Sequence, residues 1–202
     1  MSTIAIFHSV LGVHQGILDA AELLKEAGHD VHVIDQYNGR VFDDYTEASS
    51  FAESIGYEAY MRSALEAVKD LPDGFICVGF SNGGGVSEYI ALNRRVAGVV
   101  LCSGVMPLEM LHGVFPAAGF LEKGWPQDTP VQIHYAKDDP FRFRGAVEAF
   151  SAHVKEQQGT VEFYEYHGTG HLFTDRSLVN EYNETNTREL WNHVLRFCSD
   201  IS

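Results

Sequence analysis

The sequence predicts an α/β fold, in which a mostly parallel central sheet carries helices on both faces. Short runs rich in β-branched and aromatic residues alternate along the chain with segments whose apolar residues recur at helical spacing. This βαβα order favours parallel strands, because parallel neighbours need a crossover connection, which is usually a helix. The length of 202 residues suits a sizeable core, and we assign residues 1–202 to a single domain.

The predicted elements follow one another from the N-terminus. Strands are expected at TIAIFH, DVHVID, GFICVG, AGVVLCS, PVQIHYA and TVEFYEY. Helices are expected from the apolar stripes at 17–27, 57–68, 86–92, 147–154 and 190–198. In such sheets the reactive groups gather beyond the carboxyl ends of the strands. That rule directs attention to the loops after Phe7, Asp35, Gly79, Cys102, Ala136 and Tyr166.

Composition and charge argue against several classes of function. The formal net charge of −14 disfavours binding to nucleic acid or to an anionic membrane surface. No apolar run is long enough for a membrane span, and MSTIAIFHSV lacks the features of a signal peptide. The three cysteines have no paired spacing, which favours a reducing compartment, and we expect a cytoplasmic protein. Cys77 and Cys102 lie in apolar runs, where core packing is expected.

The stretch Gly79-Phe80-Ser81-Asn82-Gly83 joins a predicted strand to a predicted helix. A serine on so sharp a turn brings neighbouring backbone very close, and residues without Cβ relieve the crowding. The pattern is that of a nucleophile elbow, G-x-S-x-G. A phosphate-binding loop would need a lysine that is missing here, and a dinucleotide fingerprint would need a glycine where Ser81 stands. A glycine-rich turn without chemistry is the remaining alternative.

The loops after the last two predicted strands offer partners for Ser81. The first reads KDDPFRF and carries Asp138 and Asp139. Since Pro140 disfavours a helical conformation at the residue before it and fixes the turn, Asp139 is the expected orienting carboxylate, with Asp138 on the solvent side. A serine hydroxyl needs a base, and the base works better when a carboxylate orients it.

The second loop reads HGTGHLF and supplies the base. His171 follows Gly168 and Gly170, which would let the loop place its ring over Ser81, whereas His167 lies nearer the strand end and is expected to be structural. A metal site from the two histidines would need a helix, which the glycines disfavour. The resulting chain order of Ser, Asp and His is that of α/β hydrolases.

Acyl transfer also needs two donors for the developing oxyanion. The backbone N–H of Asn82, the residue after the nucleophile, is one expected donor. The other is expected from the loop after the first strand, HSVLGVH.

Taken together, these segments resemble the dienelactone hydrolase family of α/β hydrolases. The similar stretches are SVLGVHQGI, VIDQYNGRVFDD, GFSNGGG, DDPF and GTGHLF, and they extend over most of the chain. The resemblance implies an α/β-hydrolase fold without a large cap domain. It implies catalytic roles for Ser81, Asp139 and His171, and it implies Val10 as the residue that gives the second oxyanion N–H.

Two departures from the family pattern bear on the substrate. The best-known members use cysteine as the nucleophile with a glutamate from the first loop, whereas this chain has Ser81, and Ser9 at the glutamate's place. Those members also place an arginine after the catalytic histidine to hold a substrate carboxylate, and here Asp175 stands at about that place, with Arg176 beside it. An ester, a thioester or another lactone is therefore as plausible a substrate as dienelactone.

The sequence thus predicts a small soluble serine hydrolase that cleaves an ester or lactone through an acyl-enzyme and needs no metal or organic cofactor. The alternative is a non-catalytic protein of the same fold that binds a small molecule. Segment 104–128 is too short for a large lid; its Met106, Met110, Phe115, Phe120 and Trp125 are candidates for an apolar pocket wall or for core packing. The candidate substrate-pocket residues are Ser9, Tyr37, Arg40, Met106, Phe141 and Arg142.

Overall fold

The computed structural model describes residues 1–116 and 124–201. Its strands are Thr3–Phe7 (β1), Asp30–Ile34 (β2), Phe75–Phe80 (β3), Val96–Cys102 (β4), Val131–Ala136 (β5) and Val161–Tyr166 (β6). They form one sheet in the order β2-β1-β3-β4-β5-β6, and every neighbouring pair is parallel. All carboxyl ends therefore lie at one edge, and the predicted parallel sheet is confirmed.

Seven helices occur in the described residues. They are Gln15–Glu26 (α1), Tyr45–Ile55 (α2), Tyr57–Ala67 (α3), Asn82–Asn93 (α4), Leu108–Val114 (α5), Ala146–Glu156 (α6) and Glu184–Asp200 (α7). Five of them contain the predicted stripes, whereas α2 and α5 were not predicted. Between β4 and β5 the described residues hold only the short α5, so they include no large cap.

Helix α2 begins after a capping residue, which is a sequence signal independent of apolar periodicity. Asp44 precedes the helix, and its side chain accepts a hydrogen bond from the N–H of Glu47 at 2.8 Å. Such a cap satisfies one of the donors that the first turn leaves unpaired. Ala48 is the buried residue of this helix, so the helix shows only a weak hydrophobic pattern in the sequence.

Helices cover both faces of the sheet, as predicted. Successive side chains of a strand point to opposite faces. On β3, a Cβ at Gly79 would meet the Ser87 side chain of α4, whereas the Phe80 ring lies 6.4 Å from the Trp191 ring of α7. Helices α4 and α7 therefore pack on opposite faces.

The apolar residues considered as core or pocket candidates differ in how far they are buried. Cys77 and Cys102 are buried in the core, as expected. Trp125 and Phe115 are also buried; the Trp125 ring packs against Phe150, and the Phe115 ring stacks on Tyr89. Met110 is exposed. Phe120 lies outside the described residues. Within the described ranges, no helix combines the length and the apolar character that crossing a bilayer requires.

Helix α4 begins in very tight contact with the loop after β4. A Cβ on Gly84 would collide with the backbone carbonyl of Gly104, and a Cβ on Gly104 would collide with the carbonyl of Ser81. Two backbone segments therefore touch where only glycine fits. This contact fixes the position of the first turn of α4 relative to β4.

We expect Gly84→Ala to lower the free energy of unfolding by about 1–3 kcal/mol, because backbone atoms must move to accept the new methyl group. Gly113→Ala is the matched control, since Gly113 lies within α5 and a Cβ there meets no atom within 4 Å. The control should raise stability by up to about 1 kcal/mol through helix propensity. Urea unfolding of both variants measures the difference, and equal stabilities would contradict the contact described.

Candidate active site

Ser81 joins the end of β3 to the start of α4 in a backbone conformation that residues with a side chain rarely adopt. Its φ is 51° and its ψ is −116°. Such a conformation costs about 1–3 kcal/mol and persists only where the surroundings impose it. Here the N–H of Ser81 donates to the carbonyl of Cys102 at 2.8 Å, and the N–H of Gly84 donates to the carbonyl of Ser81 at 2.8 Å. The strand on one side and the helix on the other thus hold the strained turn.

The glycines on both sides of Ser81 allow this turn to be so sharp. A Cβ on Gly79 would collide with the carbonyl of Gly83, and a Cβ on Gly83 would collide with the carbonyl of Phe7 at the end of β1. Each glycine therefore lies against backbone rather than against a side chain that could move aside. The hydroxyl of Ser81 is consequently fixed at the carboxyl edge of the sheet, between β1 and β4.

A chain of hydrogen bonds connects Ser81, His171 and Asp139. Nε2 of His171 lies 2.8 Å from Oγ of Ser81, and Nδ1 of His171 lies 2.8 Å from Oδ2 of Asp139. Because an ionised carboxylate only accepts hydrogen bonds, Nδ1 carries the proton, and Nε2 is free to accept the hydroxyl proton of Ser81. The side chains of His171 and Asp139 are both buried.

The turn after β5 selects Asp139 rather than its neighbour. Oδ1 of Asp139 accepts the N–H of Phe141 at 2.8 Å across Pro140, which leaves Oδ2 for His171. Asp138 and His167 both have exposed side chains. In the described parts of the chain, no cluster of three or more His, Cys, Asp or Glu side chains could hold a metal ion.

A cavity of about 500 Å³ opens in front of Ser81 and His171. Asn82 and Val10, the two expected oxyanion donors, both line it. Aromatic and apolar side chains form much of the wall, among them Tyr45, Tyr57, Val105, Met106, Tyr135 and Phe143. The cavity is thus mostly apolar, with a few polar groups beside the serine, as is usual for small-molecule sites.

Two of the six candidate pocket residues line this cavity. Met106 lies on its wall, and the Phe141 ring lies 4.8 Å from the His171 ring. Ser9 lies elsewhere: it is buried, and its Oγ accepts the N–H of Leu11 at 3.2 Å. Its hydroxyl therefore shapes the loop after β1 instead of facing the cavity.

Tyr37, Arg40 and Arg142 also lie outside the cavity wall. Tyr37 is buried in an aromatic cluster, and the Arg40 guanidinium lies 4.6 Å from the centre of the Phe51 ring. Arg142 pairs with Glu165 at 2.7 Å. Both arginines are thus engaged with other partners, and we leave these three residues and Ser9 out of the proposed pocket.

Glu88 is a buried carboxyl on α4 that the sequence analysis passed over. Its Oε1 accepts the N–H of Met106 at 2.8 Å, and the nearby hydroxyl of Tyr135 accepts the N–H of Val105 at 2.8 Å. Burial raises the pKa of Glu88 well above its ordinary value, and the hydrogen bond from Met106 offsets only part of that effect. Glu88 and Tyr135 thus hold the loop that forms one cavity wall. A lone acid among apolar helix residues was the available signal.

This burial predicts a pH dependence of stability. The pKa of Glu88 is higher in the folded than in the unfolded protein, so the contribution of this group to the free energy of unfolding is greatest below the unfolded pKa. As pH rises from the unfolded toward the folded pKa, the free energy of unfolding falls by up to about 1.4 kcal/mol per pH unit. Glu88→Gln cannot titrate, so we expect its stability relative to the native protein to increase between about pH 5 and 8. Urea unfolding measures this, with exposed Glu22→Gln as control; a pH-independent difference would contradict the buried acid.

Comparisons with known proteins agree with this architecture. The family model described as "Dienelactone hydrolase family" matches residues 1–202. A dienelactone hydrolase-like promiscuous phosphotriesterase from metagenomic libraries superimposes with a TM-score of 0.79 at 17% identity, over 100% of this chain and 87% of that chain. A comparison with curated protein sequences finds no match.

Two further solved structures have the same fold. A protein named m3DLH gives a TM-score of 0.77 at 18% identity, over 99% of this chain and 86% of its own. A fungal esterase from Rhizomucor miehei gives 0.65 at 15% identity, over 100% of this chain and 73% of its own. At such identities these likenesses establish the fold alone, whereas the family model covers the whole sequence. The chain therefore belongs to the dienelactone hydrolase family of α/β hydrolases.

Proposed function

We propose that this protein is a serine hydrolase that cleaves a carboxylic ester or a lactone through an acyl-enzyme. The observation that carries the proposal is the hydrogen-bond chain from Ser81 through His171 to Asp139, with 2.8 Å at both links. A nucleophile, a base and an orienting carboxylate in this arrangement are what acyl transfer by serine requires. The family membership independently supports a hydrolase.

In the proposed acylation step, Nε2 of His171 takes the proton of Ser81 as Oγ attacks the substrate carbonyl. Asp139 accepts the Nδ1 proton of His171 in a hydrogen bond and stabilises the imidazolium that forms. His171 then gives its new proton to the alkoxide leaving group. In a lactone the leaving alkoxide remains attached to the acyl group.

The tetrahedral intermediate carries a negative oxygen between the first turn of α4 and the loop after β1. The backbone N–H groups of Asn82 and Val10 are the proposed donors; both residues line the cavity with Ser81. The N–H of Asn82 belongs to the start of a helix, where unpaired donors favour negative charge. In deacylation, His171 removes a proton from water, the hydroxide attacks the acyl-enzyme, and the proton returns to Ser81.

The cavity favours a small substrate with an apolar acyl or alcohol part. Tyr45 and Phe141 lie beside His171, with ring centres 6.1 and 4.8 Å from it, so that an acyl group bound there would displace water from the base. Cys77 and Cys102 are buried free thiols, which accords with a reducing compartment, and we place the enzyme in the cytoplasm.

A non-catalytic binding protein is the alternative, and the geometry of Ser81 disfavours it. The positive φ of Ser81 and the burial of Asp139 both cost stability. Binding a small molecule requires neither, whereas a serine activated on a nucleophile elbow makes use of both. Turnover of substrate decides between the two functions.

We expect Ser81→Ala to lower kcat on short aryl esters by at least about 10⁴-fold, because no nucleophile remains. Asp139→Asn should lower kcat by about 10²- to 10⁴-fold, because the amide favours the wrong tautomer of His171. Steady-state hydrolysis of an ester and lactone panel measures both effects.

Two exposed residues provide matched controls for this experiment. Asp138→Asn removes the adjacent exposed carboxylate, and Ser54→Ala removes an exposed hydroxyl of α2. Both controls should keep kcat within about twofold of the native value, since surface changes away from the site rarely matter. Hydrolysis that survives in Ser81→Ala, or a folded native protein that turns over no ester in the panel, would sink the proposal.

A further inference from the structure

A second buried histidine–carboxylate pair lies outside the catalytic chain. Nδ1 of His14 lies 2.5 Å from Oδ2 of Asp175, and both side chains are buried. The other ring nitrogen of His14, Nε2, lies 3.3 Å from Oδ1 of Asp43, whose side chain is almost fully exposed. Nδ1 of His14 also lies 3.1 Å from Oγ of Ser177, so that the His14 ring contacts Asp175, Ser177 and Asp43.

Further hydrogen bonds hold Asp175 in place. Burial alone would raise the pKa of Asp175; hydrogen bonds from the Ser177 hydroxyl, the Gly16 N–H and His14 outweigh it and hold the pKa below its ordinary value. A Cβ on Gly16 would come within 3.0 Å of the Asp175 side chain, so this carboxylate is packed directly against the start of α1. Asp175 is therefore an ionised group in a tightly built site.

The pair joins the two loops that carry proposed catalytic groups. His14 lies four residues after Val10, in the segment between β1 and α1, and Asp175 lies four residues after His171, in the segment between β6 and α7. Each loop also has internal support: the His14 N–H donates to the carbonyl of Gly12, and the Asp175 N–H donates to the carbonyl of Leu172. Movement in the His14–Asp175 contact would therefore pass to the catalytic end of either loop.

We propose that His14 and Asp175 form a positioning pair, which sets the separation of the Val10 loop from the His171 loop and so aligns both around Ser81. The inference rests on the proposed hydrolase function. Asp175 faces the neighbouring loop instead of the substrate cavity, since it contacts His14 and is not among the residues that line the cavity. Catalysis is sensitive to such alignment, since a misplacement of about 1 Å can cost about 10²-fold in rate.

Two conservative substitutions of His14 test the pair. The side-chain amide nitrogen of Asn can occupy the place of Nδ1 and donate to Asp175, whereas that of Gln reaches the place of Nε2 and faces Asp43. We expect His14→Gln to lower kcat by about 10- to 100-fold with KM changed less than about threefold. His14→Asn should recover most of the lost kcat. Kinetics on an ester hydrolysed by the native protein, with circular dichroism to establish folding, measure this split.

Arg176→Ala is the matched control, because Arg176, whose side chain is mostly exposed, lies next to Asp175 and pairs with Asp19 of α1 at 2.8 Å. Its removal should change kcat less than about twofold, since exposed pairs contribute little. If His14→Gln does not fold, Asp175→Asn takes its place with the same expected loss of kcat. Equal kcat in His14→Gln, His14→Asn and the native protein would overturn the positioning role alone, whereas an inactive native protein would overturn the hydrolase proposal with it.

Discussion

The site depends on how closely the first turn of α4 approaches the carboxyl ends of β1 and β4. At Gly83 and Gly84 this helix touches the backbone of Phe7 and Gly104, where no Cβ fits. That approach forces Ser81 into its positive φ and leaves its hydroxyl at the edge of the sheet. The free-energy cost of this strained conformation is offset by the core on both sides of the sheet, since β3 is buried along its whole length. A stable sheet thus maintains a strained turn at its edge.

Three buried acidic side chains support the site around this turn. Two buried carboxylates, Asp139 and Asp175, each lie against a histidine ring and each accept a backbone N–H as well. A third buried acid, Glu88, has a raised pKa and supports the wall formed by Met106. The buried carboxylates of Asp139 and Asp175 are tolerated because hydrogen bonds to both oxygens replace water. In the proposed mechanism, one orients the base, one aligns two loops and one shapes the cavity.

Much of the fold and of the candidate site could be predicted because both follow from periodic patterns and strand ends. The six strands are short runs rich in β-branched and aromatic residues, and Ser81, Asp139 and His171 follow three of them, so a parallel sheet gathers them at one edge. Helix α2 was missed, since it buries little more than Ala48. The cavity wall was predicted less well: Tyr45 lines it from α2, a helix that was not predicted, whereas Tyr37 is buried in an aromatic cluster. The contact of His14 with Asp175 spans 161 residues, and no sequence period connects them.

In the proposed mechanism, His171 activates Ser81 as a nucleophile. A fluorophosphonate probe reacts with such a serine, and intact mass followed by peptide mapping locates the adduct. We expect one adduct, on Ser81, in the native protein, and greatly slowed labelling in a folded His171→Gln variant. A folded native protein that stays unlabelled, or that is labelled at another serine such as Ser103, would contradict it.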